Sequence, residues 1–281
     1  MAAIPIEPDP TENEHPLLSP ESIRFYRESL AILGDADVPH LVGGAYAYAR
    51  YTGIERHTKD FDVFIRQEDF DRAAAAFEEA GYRSELTFPH WLGKAYGNGG
   101  EDFVDLIFSA GNGVAKVDDR WFDHAVKDTV FGVQTFLIPP EEMIWSKGLI
   151  MERERFDGAD VNHMIKNVGL ELDWQRLIDR YGKHWRVLFA HLVLYGFVYP
   201  SRRCNIPKWV MHELAGKLAA EMQQPDTNEK ICYGPILSRQ QYLLDIDDWG
   251  FGDARLKPHG NMTEEEIEQW TKGIEVDGKS K

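Results

Sequence analysis

Arg56-His57-Thr58-Lys59-Asp60-Phe61-Asp62-Val63-Phe64-Ile65 alternates acidic and apolar side chains from Asp60 to Val63 and then runs on in apolar residues. On an extended strand successive side chains face opposite ways. Asp60 and Asp62 therefore share one side, and Phe61, Val63 and Ile65 share the other. Two anions held together among Phe, Val and Ile raise each other's proton affinity or cost stability unless a cation lies between them. A hard divalent ion such as Mg²⁺ removes the conflict, because it is held by one or two carboxylates together with substrate phosphates.

Upstream, His40-Leu41-Val42 is a short extended apolar piece, Gly43-Gly44 breaks it, and Ala45 to Tyr51 reads as a helix. Without Cβ atoms, Gly43 and Gly44 let the backbone turn sharply, approach an anion and offer amides at the next helix's N-terminus. Phosphate is the expected anion. Earlier still, Ile23, Tyr26, Leu30 and Leu33 recur at helical spacing, with Gly34 and Asp35 as a stop.

Downstream, Glu68 to Ala80 reads as a helix ended by Gly81. Trp91 to Tyr96 and Phe103 to Phe108 read as strands joined through Gly97-Asn98-Gly99-Gly100, whose Asn-Gly step suits a hairpin. Asp105 stands alone in the second of these apolar strands. It is the expected third acid, as a further metal ligand or a base, with Asp102 and Glu101 as alternatives in the polar part of the hairpin. Metal-holding acids and a phosphate-holding turn together point to chemistry on a nucleoside triphosphate.

Cations near these acids are candidate phosphate contacts: Arg56 and Lys59, with the hydroxyl of Thr58, and Lys94 on the strand before Asp105. Each also reads as an ordinary surface group. Lys147 interrupts an apolar helix face of Met143, Ile150 and Met151, where a lysine must snorkel to water or meet an anion. After Pro139-Pro140 and the acidic helix start Glu141-Glu142, periodicity is helical. Val161, Met164, Ile165 and Val168 form one stripe, and Trp185 to Tyr199 and Pro207 to Met222 form two more helices.

The expected organisation is an arm over residues 1–20, a mixed α/β domain over 21–138, a helical domain over 139–222 and a C-terminal extension over 223–281. Lys plus Arg number 31 against 47 Asp plus Glu, a net charge of −16 over 281 residues. This excludes a non-specific binder that neutralises many phosphates, though not a local basic pocket near Arg153 and Arg155. Two cysteines, Cys204 and Cys232, are too few for a disulfide framework and lack C-x-x-C spacing. No apolar run reaches the ~20 residues of a membrane span, and the acidic, proline-rich start is the wrong chemistry for a signal peptide. A cytoplasmic protein is expected.

Gly43-Gly44, Arg56-x-Thr58-x-Asp60-x-Asp62 and the later Asp105 resemble the DNA polymerase β-like nucleotidyltransferase superfamily. The form is closest to small bacterial members, including AbiEii-type proteins and aminoglycoside or lincosamide nucleotidyltransferases. The resemblance covers Val38 to Phe108 and extends weakly through Lys147, Arg153, Asp157 and Asp160. It implies an α/β (α+β) nucleotidyltransferase fold with a small mixed sheet and a mainly helical C-terminal region. It further implies Mg²⁺ and the triphosphate, with ATP expected, on Asp60 and Asp62. Asp105 would be a metal ligand or the base, and Gly43 and Gly44 would face the phosphates. The implied reaction moves a nucleoside monophosphate to an acceptor hydroxyl of a small molecule, a tRNA end or a protein side chain, releasing pyrophosphate. A non-catalytic descendant of the fold and a metal-dependent phosphohydrolase using the same acids are the competing readings.

Overall fold

A computed structural model of the chain describes residues 18–56, 58 and 60–277. Most of the expected arm, and Lys59 with it, lies outside the described residues. The first elements follow the sequence pattern: α1 (Pro20–Asp35), β1 (Leu41–Val42), α2 (Gly44–Thr52), β2 (Asp60–Phe64) and α3 (Phe70–Glu79). Next come β3 (Arg83–Phe88), β4 (Leu92–Gly97), β5 (Asp102–Ile107), α4 (Asp119–Asp123), β6 (Val126–Val130) and β7 (Val133–Leu137).

The strands form one mixed sheet in the order β3-β4-β5-β2-β1-β7-β6. β2 runs parallel to β5 with Asp62 opposite Asp105, and β4 runs antiparallel to β5 with Lys94 opposite Asp105. One face is apolar. Phe61, Val63, Ala95, Val104 and Leu106 are fully buried there, with Tyr26 and Leu30 of α1 and Phe77 of α3 in the same core. Burying an aromatic ring such as Phe61 is worth about 1.5–3 kcal/mol, so this face locks the register. Ser19 caps α1 through the Ser22 amide at 3.0 Å. The Ser22 hydroxyl in turn donates to Asp102 at 2.8 Å.

β3 and the β6–β7 hairpin go beyond the elements read from the sequence. The hairpin turns at Phe131-Gly132, both left-handed at φ 52° and 74°. Phe131 tolerates this because its ring joins a buried cluster, 5.5 Å from Phe61 and 5.0 Å from Tyr46 between centroids.

The chain divides into two compact units, one reaching Gly111 and resuming at Lys116–Pro139, the other made of Asn112–Ala115 and everything from Pro140 onward. The second unit holds α5 (Pro140–Gly148), α6 (Gly158–Val168), α7 (Trp174–Tyr181), α8 (Trp185–Val198) and α9 (Lys208–Glu221). It continues with β8 (Ile231–Cys232), α10 (Gly234–Leu237), α11 (Leu243–Asp247), β9 (Gly252–Asp253) and α12 (Glu264–Asp277), and β8 pairs with β9 in parallel.

Glu141 and Glu142 are buried, and Arg176 and Arg180 of α7 bond to them. α5 ends at Gly148, so Ile150 and Met151 leave the expected stripe. The physical reason is a side-chain stop: the Tyr181 hydroxyl donates to the Ile144 carbonyl at 3.0 Å, and His191 Nε2 lies 2.8 Å from the Gly148 carbonyl. Among the described residues no helix is long and apolar enough to cross a membrane.

Two histidines of the second unit are held neutral. Burial, helped by Lys183, pushes His184 down to about 4, and burial lowers His191 despite its bond to the Gly148 carbonyl. The unfolded chain takes up these protons near the ordinary value of about 6.5. The stability they contribute is therefore complete above that value and drains as pH falls below it. Tm is expected to fall between pH 7 and pH 5.5, and to fall less in His184→Gln, in a thermal melt at each pH.

Candidate active site

The acids are placed by strand geometry. Asp60, Asp62, Phe103 and Asp105 alternate away from the buried face, and the parallel register sets Asp60 against Phe103 and Asp62 against Asp105. Asp60 is exposed, and Asp62 and Asp105 are half-buried. The three expected acids thus stand on one face of adjacent strands. Asp102, the alternative third acid, points to the covered face, where Ser22 and Asn98 bond to it.

Asp62 is built into the glycine turn. The Gly43 amide donates to the Asp62 carbonyl at 2.9 Å. Gly44 sits at φ +54°, and a Cβ there would lie 1.7 Å from Asp62 Oδ2. A Cβ on Gly43 would strike the Phe64 ring at 2.2 Å. Glycine is thus demanded at both positions by the protein's own side chains, and the carboxylate of Asp62 rests on the first turn of α2. There the helix dipole favours negative charge. Since the Gly43 amide is taken, the amides of the turn that face outward from the helix start at Gly44.

Asp105 meets a cation. Lys94 Nζ lies 2.5 Å from Asp105 Oδ1 and 3.9 Å from the Phe103 ring centroid, and the Lys94 and Asp105 side chains are 19% and 15% exposed. Burial raises the proton affinity of Asp105, Lys94 opposes that, and Asp60 adds to it. Lys94 therefore stands as the direct partner of an acid. Tyr96 and Phe103 share this face, two residues from Lys94 and Asp105 respectively. Strand alternation on β4 and β5 marks their side.

The remaining candidates are dispersed. The Thr58 hydroxyl accepts from the Asp60 amide at 3.0 Å and so shapes the entry to β2. The Arg56 guanidinium lies 4.4 Å over the Tyr48 ring of α2. Lys147 belongs to the second unit, where its ammonium lies 3.1 Å from Asp157 and 2.7 Å from Asp160. Arg155 also bonds to Asp157, while Arg153 is largely exposed.

The donors on the acidic face are all carboxylate oxygens, the chemistry a hard divalent ion takes. Asp60 and Asp62, facing the same way beside the glycine cradle, fit such an ion. Among the described residues no three of His, Cys, Asp and Glu are grouped so as to hold a metal by themselves.

Solved structures similar to this chain include nucleotidyltransferases and a nucleotidyltransferase-like protein. A nucleotidyltransferase-like protein from Paracoccidioides brasiliensis is 18% identical, over 68% of this chain and 95% of that one, with a TM-score of 0.44. The antibiotic-resistance factor ANT(2'')-Ia, in complex with adenylyl-2''-tobramycin, is 14% identical over 70% of this chain and 98% of that one, at 0.35. The lincosamide adenylyltransferase LnuA, lincomycin-bound, is 16% identical over 51% and 95%, also at 0.35. No family model and no curated protein matches the sequence. At these scores the likeness carries no activity across to this chain.

Gly44 and Gly53 separate backbone conformation from close approach. Gly53 is also left-handed, at φ +69°, with open space where a Cβ would go. An L-residue there costs about 1 kcal/mol. Gly44→Ala should lose clearly more stability than Gly53→Ala, since it must also displace Asp62, and urea unfolding of the two variants measures the difference.

Proposed function

We propose that the chain is a Mg²⁺-dependent nucleotidyltransferase that moves a nucleoside monophosphate, with ATP the expected donor, from a triphosphate to an acceptor hydroxyl. The observation that carries this reading is that Asp60, Asp62 and Asp105 stand on one face of adjacent strands, with Asp62 seated on the Gly43–Gly44 turn. Asp60 and Asp62 would hold the ion, which when bound neutralises charge on the phosphate oxygens. The first-turn amides of α2 would face the anionic tail, where the helix dipole favours it.

Asp105 is the proton acceptor in this reading. Burial raises its proton affinity above that of an ordinary carboxylate, which suits it to take a hydroxyl proton. The freed acceptor oxygen bonds to the α-phosphorus as the bond to pyrophosphate breaks, and the proton stays on Asp105. Lys94 orients the carboxylate from the neighbouring strand. Arg56 and Thr58 lie in or beside the entry to β2, where charge on a triphosphate would be met, and Lys59, outside the described residues, is the further cation this reading assigns to it. Lys147, paired with Asp157 and Asp160 in its own unit, would serve only after exchanging a carboxylate for a phosphate.

Asp60→Asn tests the assignment, because an exposed carboxylate is removed without opening a cavity. Transfer of label from α-labelled ATP to acceptor is expected to fall at least about 100-fold, the scale of losing one charge-stabilising group. Tm should hold or rise as repulsion with Asp62 and Asp105 is relieved. Full transfer in Asp60→Asn overturns the assignment. Wild-type chain that releases only free nucleotide or phosphate is a hydrolase, and one that binds no triphosphate with Mg²⁺ in calorimetry is a non-catalytic descendant.

A further inference from the structure

Within the second unit, Arg180, Lys183, His184, Arg255 and His259 line a cavity of about 240 Å³ to whose wall no Asp or Glu contributes. In a chain with 47 Asp and Glu, a lining without a carboxylate stands out. The balancing carboxylates stand outside the lining. Glu142 takes Arg180 Nε at 2.9 Å, and Asp253 takes Arg255 Nε and Nη2 at 3.0 and 2.7 Å. Glu229 is 3.6 Å from His259 Nε2 and largely exposed. Lys183 has no carboxylate partner among the described residues, and its ammonium donates to the His259 carbonyl.

Arg255 gives the independent indication. It is 1% exposed, and its Nη1 has no hydrogen-bond partner among the described residues, although Nε and Nη2 are both used. Leaving a buried donor unmade costs about 1–3 kcal/mol, more when the group is charged, so folded chains rarely keep one without a reason. An oxyanion in the cavity that Arg255 lines would satisfy it if the guanidinium turns Nη1 toward that space. Lys183 offers a second donor, and the two imidazoles add N–H groups.

The wall is held from several segments. Asn112 Nδ2 donates to the Ile236 carbonyl at 2.8 Å, Asn261 Nδ2 to the Gly113 carbonyl at 3.2 Å, and the Met262 amide to the Arg255 carbonyl at 2.9 Å. Asn112, Gly113 and Val114, part of the 112–115 segment carried into this unit from the middle of the sheet region, therefore help to form the cavity. A guanidinium, an ammonium and imidazoles without a lining acid match a dianion with several oxygens better than a carboxylate with two.

We infer that this cavity is a binding site for a small phosphate dianion, free or as a phosphomonoester, separate from the acidic face and independent of the transferase reading. The test is calorimetric titration of the full chain with inorganic phosphate and with methyl phosphate. EDTA removes divalent ions, and chloride holds ionic strength constant. Binding is expected in the wild type and unchanged in Asp60→Asn. It should weaken at least tenfold in Lys183→Met and return in Lys183→Arg. His259→Gln, at a half-buried position, should weaken it as well. Tighter methyl phosphate than phosphate identifies a monoester site and the reverse order a free-phosphate site, both supporting the inference. Absence of binding by the folded wild type overturns it. So does equal affinity in Lys183→Met, or loss of binding in Asp60→Asn.

Discussion

In the parallel pairing of β2 with β5, one register decides where every charge on the sheet goes. Phe61, Val63, Val104 and Leu106 can reach the core only if Asp60, Asp62 and Asp105 turn the other way. A slip of one residue would bury the acids and expose the aromatics, so the apolar face fixes the polar one by exclusion. The stability of the sheet and the assembly of the acids are one event.

Such an assembly carries a cost that the surroundings offset in two ways. Asp62 lies against the start of α2, where unpaired amides and the dipole favour an anion. Asp105, more deeply placed, takes an ammonium from the next strand over. Asp60 stays in water. The three carboxylates thus have three different environments although they share a face, and unequal environments are what let like groups adopt different roles.

Where side chains repeat with a period, the sequence was readable. α1, β2, the β4–β5 hairpin and the stripe of α6 follow directly from spacing, and the acidic face follows from alternation on β2 and β5. What was hidden depended on contacts between distant residues. The Phe131-Gly132 turn carries a phenylalanine where asparagine or aspartate signals a hairpin, and only its ring's burial among Tyr26, Tyr46 and Phe61 explains it. The end of α5 depends on Tyr181 and His191, more than thirty residues away. The partnership of Lys94 with Asp105 needed strand order and register, neither of which the local pattern supplies.

The excursion of residues 112–115 has a consequence for how the chain matures. These residues leave the ribosome well before α5 to α12, yet the Asn112 side-chain amide donates to the Ile236 carbonyl and the Gly113 carbonyl accepts from Asn261. The loop between β5 and α4 must then wait, half-finished, while roughly half the chain is still being made, although domains generally close as units during synthesis. A cut at Pro139 would not yield two self-sufficient pieces: the C-terminal fragment would lack a section of its own wall, and the N-terminal one would carry that section with nothing to hold it.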